Sequence, residues 1–395
     1  MHNIELSAAL SNEASIVHSC GLPIFAAASG HRAIRKSHSP LALGIDSIRR
    51  FNEMPAHHLL KTGVSVGAHF SGLSRLVARR YRGCGIIFVL HSIVEDCTLF
   101  VDSTLRCSTS QLEWALRWLT HEGLDFVSLD EGVRRLNEAK PLPFACFAFD
   151  DGFADNLTQA LPIMERFGAP FTVYVTTGMI THEMDAWWFG LAALLRSCDR
   201  LALSSRLRFE CPDLRSKRSA FRTIERWIHK DPSLLSNVRE AIATNAIDCR
   251  PLVEREALNR KQLRRLSHHP LVTIGGHTTT HPNLAQTCSL AARRELHDNR
   301  KFLEDLIDRP IEHFAYPFGH ERACGYREAQ ICREVGFRTG VTTRAGTLFS
   351  AHARDLHSLP RLGIVGDDTA STLRCKVDGV YRAIQSKLGD PVVRM

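Results

Sequence analysis

No two of the 12 cysteines are spaced as a Cys-x-x-Cys pair, and several lie inside apolar segments. Scattered thiols of this kind point to a reducing compartment rather than a disulfide framework. No apolar run approaches the roughly eighteen residues that announce a membrane span. The opening residues carry Glu5 and Glu13 and no early basic cluster, so Leu22 to Ala28 makes a poor secretory signal and cytoplasmic residence is expected. Internal repeats and low-complexity tracts are also lacking, which sets aside solenoids and compositionally disordered arrays.

What is present is enough apolar material for a large core. The chain has 395 residues, 44% of them hydrophobic, which suits one large α/β domain with appendages or two domains. The formal net charge of +8 is unevenly spread. Residues 1–83 hold ten basic side chains against four acidic ones and so contribute +6, leaving only +2 for the remainder. A basic N-terminal segment can touch anionic lipid headgroups weakly. No aromatic interleaving or nucleic-acid motif accompanies the charge, so nucleic acid is not an expected partner, and a solvated, partly ordered leader is the preferred reading. Within that extension, Leu41 to Phe51 and Leu73 to Tyr81 have the pattern of short helices.

From Gly83 onward the pattern becomes regular. Gly85 to Leu90 is a β-branched and aromatic strand closed by His91. Ser110-Gln-Leu-Glu113 reads as a capping box opening a helix to His121, stopped by Gly123. Asp125 to Leu129 is expected as a strand, Glu131 to Ala139 as a helix and Phe144 to Phe149 as a buried strand. Leu157 to Phe167 is helical in spacing, with Gly168 as its stop, and Phe171 to Val175 is again a strand. Alternation of this kind argues for a parallel sheet or barrel whose βα loops carry the chemistry at one rim.

Residues 182–269 break the rhythm with Trp187, Trp188 and the charged helical segments Arg215 to Ile228, Asp231 to Ala243 and Arg255 to Ser267. This reads as a helical insertion in which the two tryptophans pack rather than stack on sugar rings. Strand Leu271 to Ile274, helix Ser289 to Ile307, a short strand entering a tight turn over His313 to Gly319, helix Glu328 to Val335 and the strands Phe337 to Thr343 and Leu359 to Val365 complete the series.

Two stretches carry the chemistry. Phe144 to Phe149 delivers Asp150 and Asp151 to a strand end, and Gly152 then lets the chain turn. Adjacent carboxylates repel and are costly to desolvate, so an apolar strand that presents both at one rim suggests a cation or a shared proton between them. His277 and His281 are four apart, but Gly275, Gly276 and Pro282 argue for a strand-end loop rather than a helix. Two imidazoles and a carboxylate make the open, three-ligand arrangement of catalytic zinc. One acid of the pair can then bind the metal while the other stays free as a base.

Phe149-Asp150-Asp151-Gly152, His277-Thr-Thr-Thr-His281 and Phe314-Ala-Tyr-Pro-Phe-Gly319 resemble, in order, three motifs of the polysaccharide deacetylases. That carbohydrate esterase group includes the rhizobial chitooligosaccharide deacetylases of nodulation. The resemblance covers residues 83 to about 365. It implies a distorted (β/α) barrel of about seven strands, with 1–82 as a basic extension, 182–269 as a helical insertion and 366–395 as a C-terminal tail. It also implies Asp150 as general base, and Asp151, His277 and His281 as ligands of a divalent metal, most often zinc. Tyr316 and Phe318 would lie at the substrate and oxyanion position, with the backbone N–H at Phe318 as the donor.

The pattern departs from the family in two places. Ala315 stands where many members have the arginine that orients the base, and Arg361 is the candidate replacement. The late Leu-x-His-Asp motif that bears the general acid is missing. His91 at the first strand end is the candidate acid, as resembles the arrangement in exopolysaccharide deacetylases, with His357 and His320 behind it. The expected activity is metal-dependent removal of N-acetyl groups from N-acetylglucosamine oligomers or polymers, with acetate released. A hydrolase of another C–N bond and a catalytically silent carbohydrate-binding protein are the alternatives.

Overall fold

The computed structural model describes residues 72–97, 100–102, 105–204, 207–366 and 368–395. The expected helix at Leu41 to Phe51 and most of the basic extension lie outside these. Seven parallel strands close into a barrel: β1 (Gly85–Leu90), β2 (Phe144–Phe149), β3 (Phe171–Val175), β4 (Val272–Gly276), β5 (His313–Ala315), β6 (Thr339–Ala345) and β7 (Leu359–Gly363). They pair in the order β1-β7-β6-β5-β4-β3-β2, and β2 returns to β1. A two-residue strand, Asp125–Phe126, adds to the lower end of β2.

All residues of β1 and β2 are buried, so their apolar runs are continuous rather than alternating. The alternation lies instead in which apolar neighbours each residue meets. Ile87, Phe144, Cys146, Ala148, Tyr174, Ala315, Val341 and Leu359 cluster inside the barrel, plugged at the strands' N-terminal end by Leu129, Val133 and Leu136. Phe88, Phe147, Phe149, Val173, Phe314, Tyr316 and Leu362 face the surrounding helices. The period of two therefore aims Asp150, next after Ala148 on the inner side, along the barrel axis. It aims Arg361, two past Leu359, the same way.

Several element bounds differ from expectation for local reasons. Ser108, not Ser110, caps the helix Thr109–His121, its hydroxyl accepting from the Gln111 N–H. The strand expected over Asp125 to Leu129 stops at Phe126, because Ser128 caps a helix that already begins at Leu129 and ends at Arg135. Arg255 to Ser267 is broken at Ala257, whose extended backbone ends Arg250–Glu256, and Asn259 caps a new helix, Arg260–Ser267. The last two strands differ by two residues from the reading: Thr339–Ala345 begins and ends two residues later, and Leu359–Gly363 ends two residues earlier.

The insertion builds a core of its own around Trp187, Trp188, Phe189, Leu191, Phe221 and Ile224. Both tryptophans are buried there, as packing side chains. It also contains an antiparallel pair, Arg200–Ala202 with Arg208–Glu210, that no alternation in the sequence announces. Phe153, just after the acid pair, anchors this core to the barrel by an edge contact with Phe189 and a bridge to Ala257. Beyond β7, the helices Ala370–Val377 and Val380–Gln385 pack on the helix Leu73–Tyr81.

Candidate catalytic and metal centre

Parallel register brings the sequence-distant candidates to one rim. Leu90 pairs with Phe149, so His91 and Asp150 are the next residues on neighbouring strands, and the Asp150 N–H donates to the Leu90 carbonyl at 3.0 Å. Val175 pairs with Gly276, and the His277 N–H continues the ladder by donating to the Val175 carbonyl. His277 thus ends its strand beside the acids.

Asp150 is 2% exposed and Arg361 1%. The guanidinium grips the carboxylate through two bonds, Nη1 to Oδ1 at 2.7 Å and Nη2 to Oδ2 at 2.8 Å, while Nε donates to the Thr342 carbonyl. Burial pushes the Asp150 carboxyl up, but the Arg361 charge, with His277 and the two bonds, outweighs it and holds the group below the usual carboxylate range. Asp150 therefore stays ionised.

Asp151 turns the other way. Its backbone is left-handed (φ 75°), followed by Gly152 at φ 88°, which swings its side chain off the strand alternation and towards the histidines. Asp151 Oδ1 lies 3.4 Å from His277 Nε2 and 3.5 Å from His281 Nε2. One ligand atom from each of the three lies within 4.8 Å of the others. Burial raises the Asp151 carboxyl, yet the hydrogen bond from His277 and the charges of His281, His91 and His277 bring it far below normal. Burial lowers both imidazoles. For His277 the two carboxylates overturn that and raise it, whereas His281 is held down at about 4.

The histidine loop is held by groups that sequence reasoning missed. His277 Nδ1–H donates to the Ala315 carbonyl at 2.7 Å, which fixes the ring with Nε2 facing Asp151. Asn299, fully buried, accepts from the His277 N–H and donates to the Val175 and Thr278 carbonyls at 2.9 and 2.6 Å. Glu295, one turn earlier on the helix Ser289–Ile307, accepts from the N–H groups of Thr279 and Thr280. One signal was available: Asn299 falls on the buried stripe Ala292, Leu296, Asn299, Leu303 of that helix, where an uncharged polar residue needs partners.

Four of the non-glycine residues with left-handed backbone belong to this site: Asp151, Thr278, His281 and Phe318. Such conformations cost energy and persist where surrounding contacts enforce them. At Phe318 the Thr343 hydroxyl donates to its carbonyl at 2.6 Å, fixing the turn after β5, and the ring packs 4.8 Å from His281.

Tyr316 does not join the site. It falls on the outer face with Phe314, is fully buried, and both of its donors are used: O–H to the His357 carbonyl at 2.9 Å and N–H to the Val341 carbonyl. The expected contact with substrate is overturned by strand alternation. His357 is likewise committed elsewhere, its Nε2–H donating to the Phe337 carbonyl. His91 is half-buried on the inner alternation of β1, and the Asn156 amide donates to its carbonyl at 2.8 Å.

A second acid and histidine group, Asp130, Glu312 and His313, lies at the opposite ends of the strands. There Arg338 is paired to Asp130 at 2.6 Å and to Glu312 at 3.7 Å, so a cation is already supplied by the chain. The donor set at Asp151, His277 and His281, with no such arginine, is the one that fits a divalent ion.

Comparison with known proteins bears on the family and the fold. The family model for polysaccharide deacetylase matches residues 138–339, just over half of the chain and all three motifs. The Bacillus subtilis protein YxkH, assigned by name to that family, is 18% identical over 282 residues, covering 70% of each chain. The Streptococcus pyogenes deacetylase PplD, solved in complex with acetate, is 20% identical over 74% of this chain and 97% of its own, with a TM-score of 0.50. At that identity the structural likeness speaks for the fold, and the family follows from the matched model: this chain belongs to the polysaccharide deacetylase family.

Proposed function

We propose that the chain is a divalent-metal-dependent N-deacetylase that releases acetate from N-acetylglucosamine-containing oligo- or polysaccharide, with residues 83–365 as its catalytic unit. The observation that carries this reading is the division of labour between adjacent acids. Asp150 is clamped by Arg361 and kept ionised, and Asp151 shares one small space with His277 and His281.

Two neutral imidazole nitrogens and one carboxylate are the donor set of an open catalytic zinc site, so Asp151, His277 and His281 would hold the ion and zinc is the best match. When bound, such an ion supplies Lewis-acid polarisation of the acetamide carbonyl and eases deprotonation of water. Asp150 accepts the proton of the attacking water, oriented by the two Arg361 bonds. The Phe318 N–H, in a turn pinned by Thr343, donates to the carbonyl oxygen as it gains charge. His91 gives a proton to the departing amine nitrogen, so acetate and a free amine leave.

The deciding experiment is acetate release from N-acetylglucosamine oligomers by metal-loaded protein, with Asp150→Asn and His91→Ala run beside it after a metal-content check. Release that Asp150→Asn abolishes with metal retained supports both the activity and the base. Absence of release from metal-replete protein, with turnover of other small amides, sinks the acetamide assignment.

A further inference from the structure

A second feature adjoins this centre and is not used by it. An open cleft of about 470 Å³ is lined by Arg222, Glu225, Arg226, His229 and Lys230 from the insertion helix Leu214–Lys230, and by His320 and Arg322 from the loop after β5. Ring contacts connect it to the candidate metal ligands: His320 lies 5.5 Å from His229, His229 4.8 Å from Phe318, and Phe318 4.8 Å from His281. The cleft is thus one aromatic ring away from the reacting centre, within the length of a sugar unit or two.

Its charge is lopsided. Arg222, Arg226 and Lys230 follow one another at intervals of four, so like charges stack along one helix face, which by itself costs helix stability. Arg322 adds a fourth cation from the facing loop. Arg226, Lys230 and Arg322 form no ion pair with any described residue. The one acid in the lining, Glu225, is pushed up to about 7 by burial and by the Asp102 charge, against the pull of Arg222 and Arg226.

His320 adds a donor to the lining. Its Nδ1 accepts from the Arg322 N–H at 3.2 Å, which places the ring proton on Nε2. That Nε2–H is buried and has no hydrogen-bond partner among the described residues. A buried donor without an acceptor, beside several cations, is the complement of a multiply charged oxyanion.

We infer that this cleft binds a phosphate group carried by the saccharide, so that the substrate class is a phosphorylated N-acetylated sugar; the inference rests on the deacetylase reading of the adjoining centre. Phosphate suits the site better than a single carboxylate because it offers three acceptor oxygens and up to two charges to converging guanidinium and ammonium groups.

The test is equilibrium binding to the full chain, which does not depend on turnover. The probes are N-acetylglucosamine 1-phosphate, N-acetylglucosamine, glucuronic acid, inorganic phosphate, and vesicles of phosphatidylglycerol with phosphatidylcholine. The sugar phosphate is expected to bind at least about tenfold more tightly than the neutral sugar, and inorganic phosphate to compete with it. In the surface triple variant Arg226→Ala, Lys230→Ala, Arg322→Ala that preference should collapse, and lysine at positions 226 and 322 should restore most of it. Equal affinities, or a preference that survives the triple variant, would overturn the inference. So would tighter binding of glucuronic acid, or binding to the vesicles alone. Failure of acetate release with the phosphate preference intact would instead strike only the deacetylase reading.

Discussion

Arg361 and Asp150, 211 positions apart, form a bidentate pair at 2.7 and 2.8 Å with neither side chain open to solvent. The arginine comes from the last barrel strand, while Ala315 on β5 adds only a small apolar side chain to the barrel interior. The pair fixes both the orientation and the charge of the carboxylate. It also ties β7 to β2, across the barrel interior.

Asp150→Asn should keep the fold and the metal while lowering kcat by about 10²- to 10⁴-fold, the usual worth of a general base. Metal analysis and steady-state acetate release on the same preparation check it. An unchanged kcat would remove Asp150 from the mechanism.

Arg361→Ala leaves a buried carboxylate without its partner. Asp150 is depressed in the folded state, so it contributes stability above its unfolded pKa that is lost as pH falls through its folded pKa. Without Arg361 the burial contribution dominates and the carboxyl rises, so the acid limb of kcat/KM should move to higher pH. A stability loss of about 3–5 kcal/mol is expected alongside, and denaturant titration with a pH-rate profile reads both.

Chelator treatment should abolish activity, with recovery on adding zinc. Asn299→Ala should weaken metal binding by about 10- to 100-fold, because Asn299 holds the His277 and Thr278 backbone without touching the ion. Competition with a metal indicator measures it. Full affinity in that variant would show that the loop keeps its shape unaided.

Tyr316→Phe should leave kcat and KM within about twofold while costing about 1 kcal/mol, since its hydroxyl serves the His357 carbonyl and the Cys332 thiol, away from the metal centre. A large KM effect would return Tyr316 to the substrate site.

Asp155 supplies a pH test of stability. Burial pushes its carboxyl up to about 6 against the ordinary 3.8, the Ser92 hydroxyl bond and the Arg106 charge notwithstanding. Between those values the folded state keeps a proton that the unfolded state has released, so stability falls as pH rises through the window and the loss is complete above it. Asp155→Asn should therefore gain in thermal stability relative to the unsubstituted chain between pH 4 and 7, by about 1–3 kcal/mol at the upper end. A constant difference across that range would contradict it.

By itself the sequence determined the strands that end in His91, Asp150 and His277, the helix Ser289–Ile307, and the motif order that marks the family. These are local matters: an apolar run, a period, a glycine that frees a turn. It could name Asp150, Asp151, His277 and His281 because acids and imidazoles at strand ends are costly unless they share a purpose. The tertiary structure alone decided the rest. Barrel closure brought Arg361, in the sequence only a candidate, into contact with Asp150, and strand alternation turned Tyr316 outward while Ala315 faced in. The insertion set its cations against the loop that follows β5. Such contacts depend on register and on packing between segments far apart in the chain, and a single sequence read along its length carries no record of either.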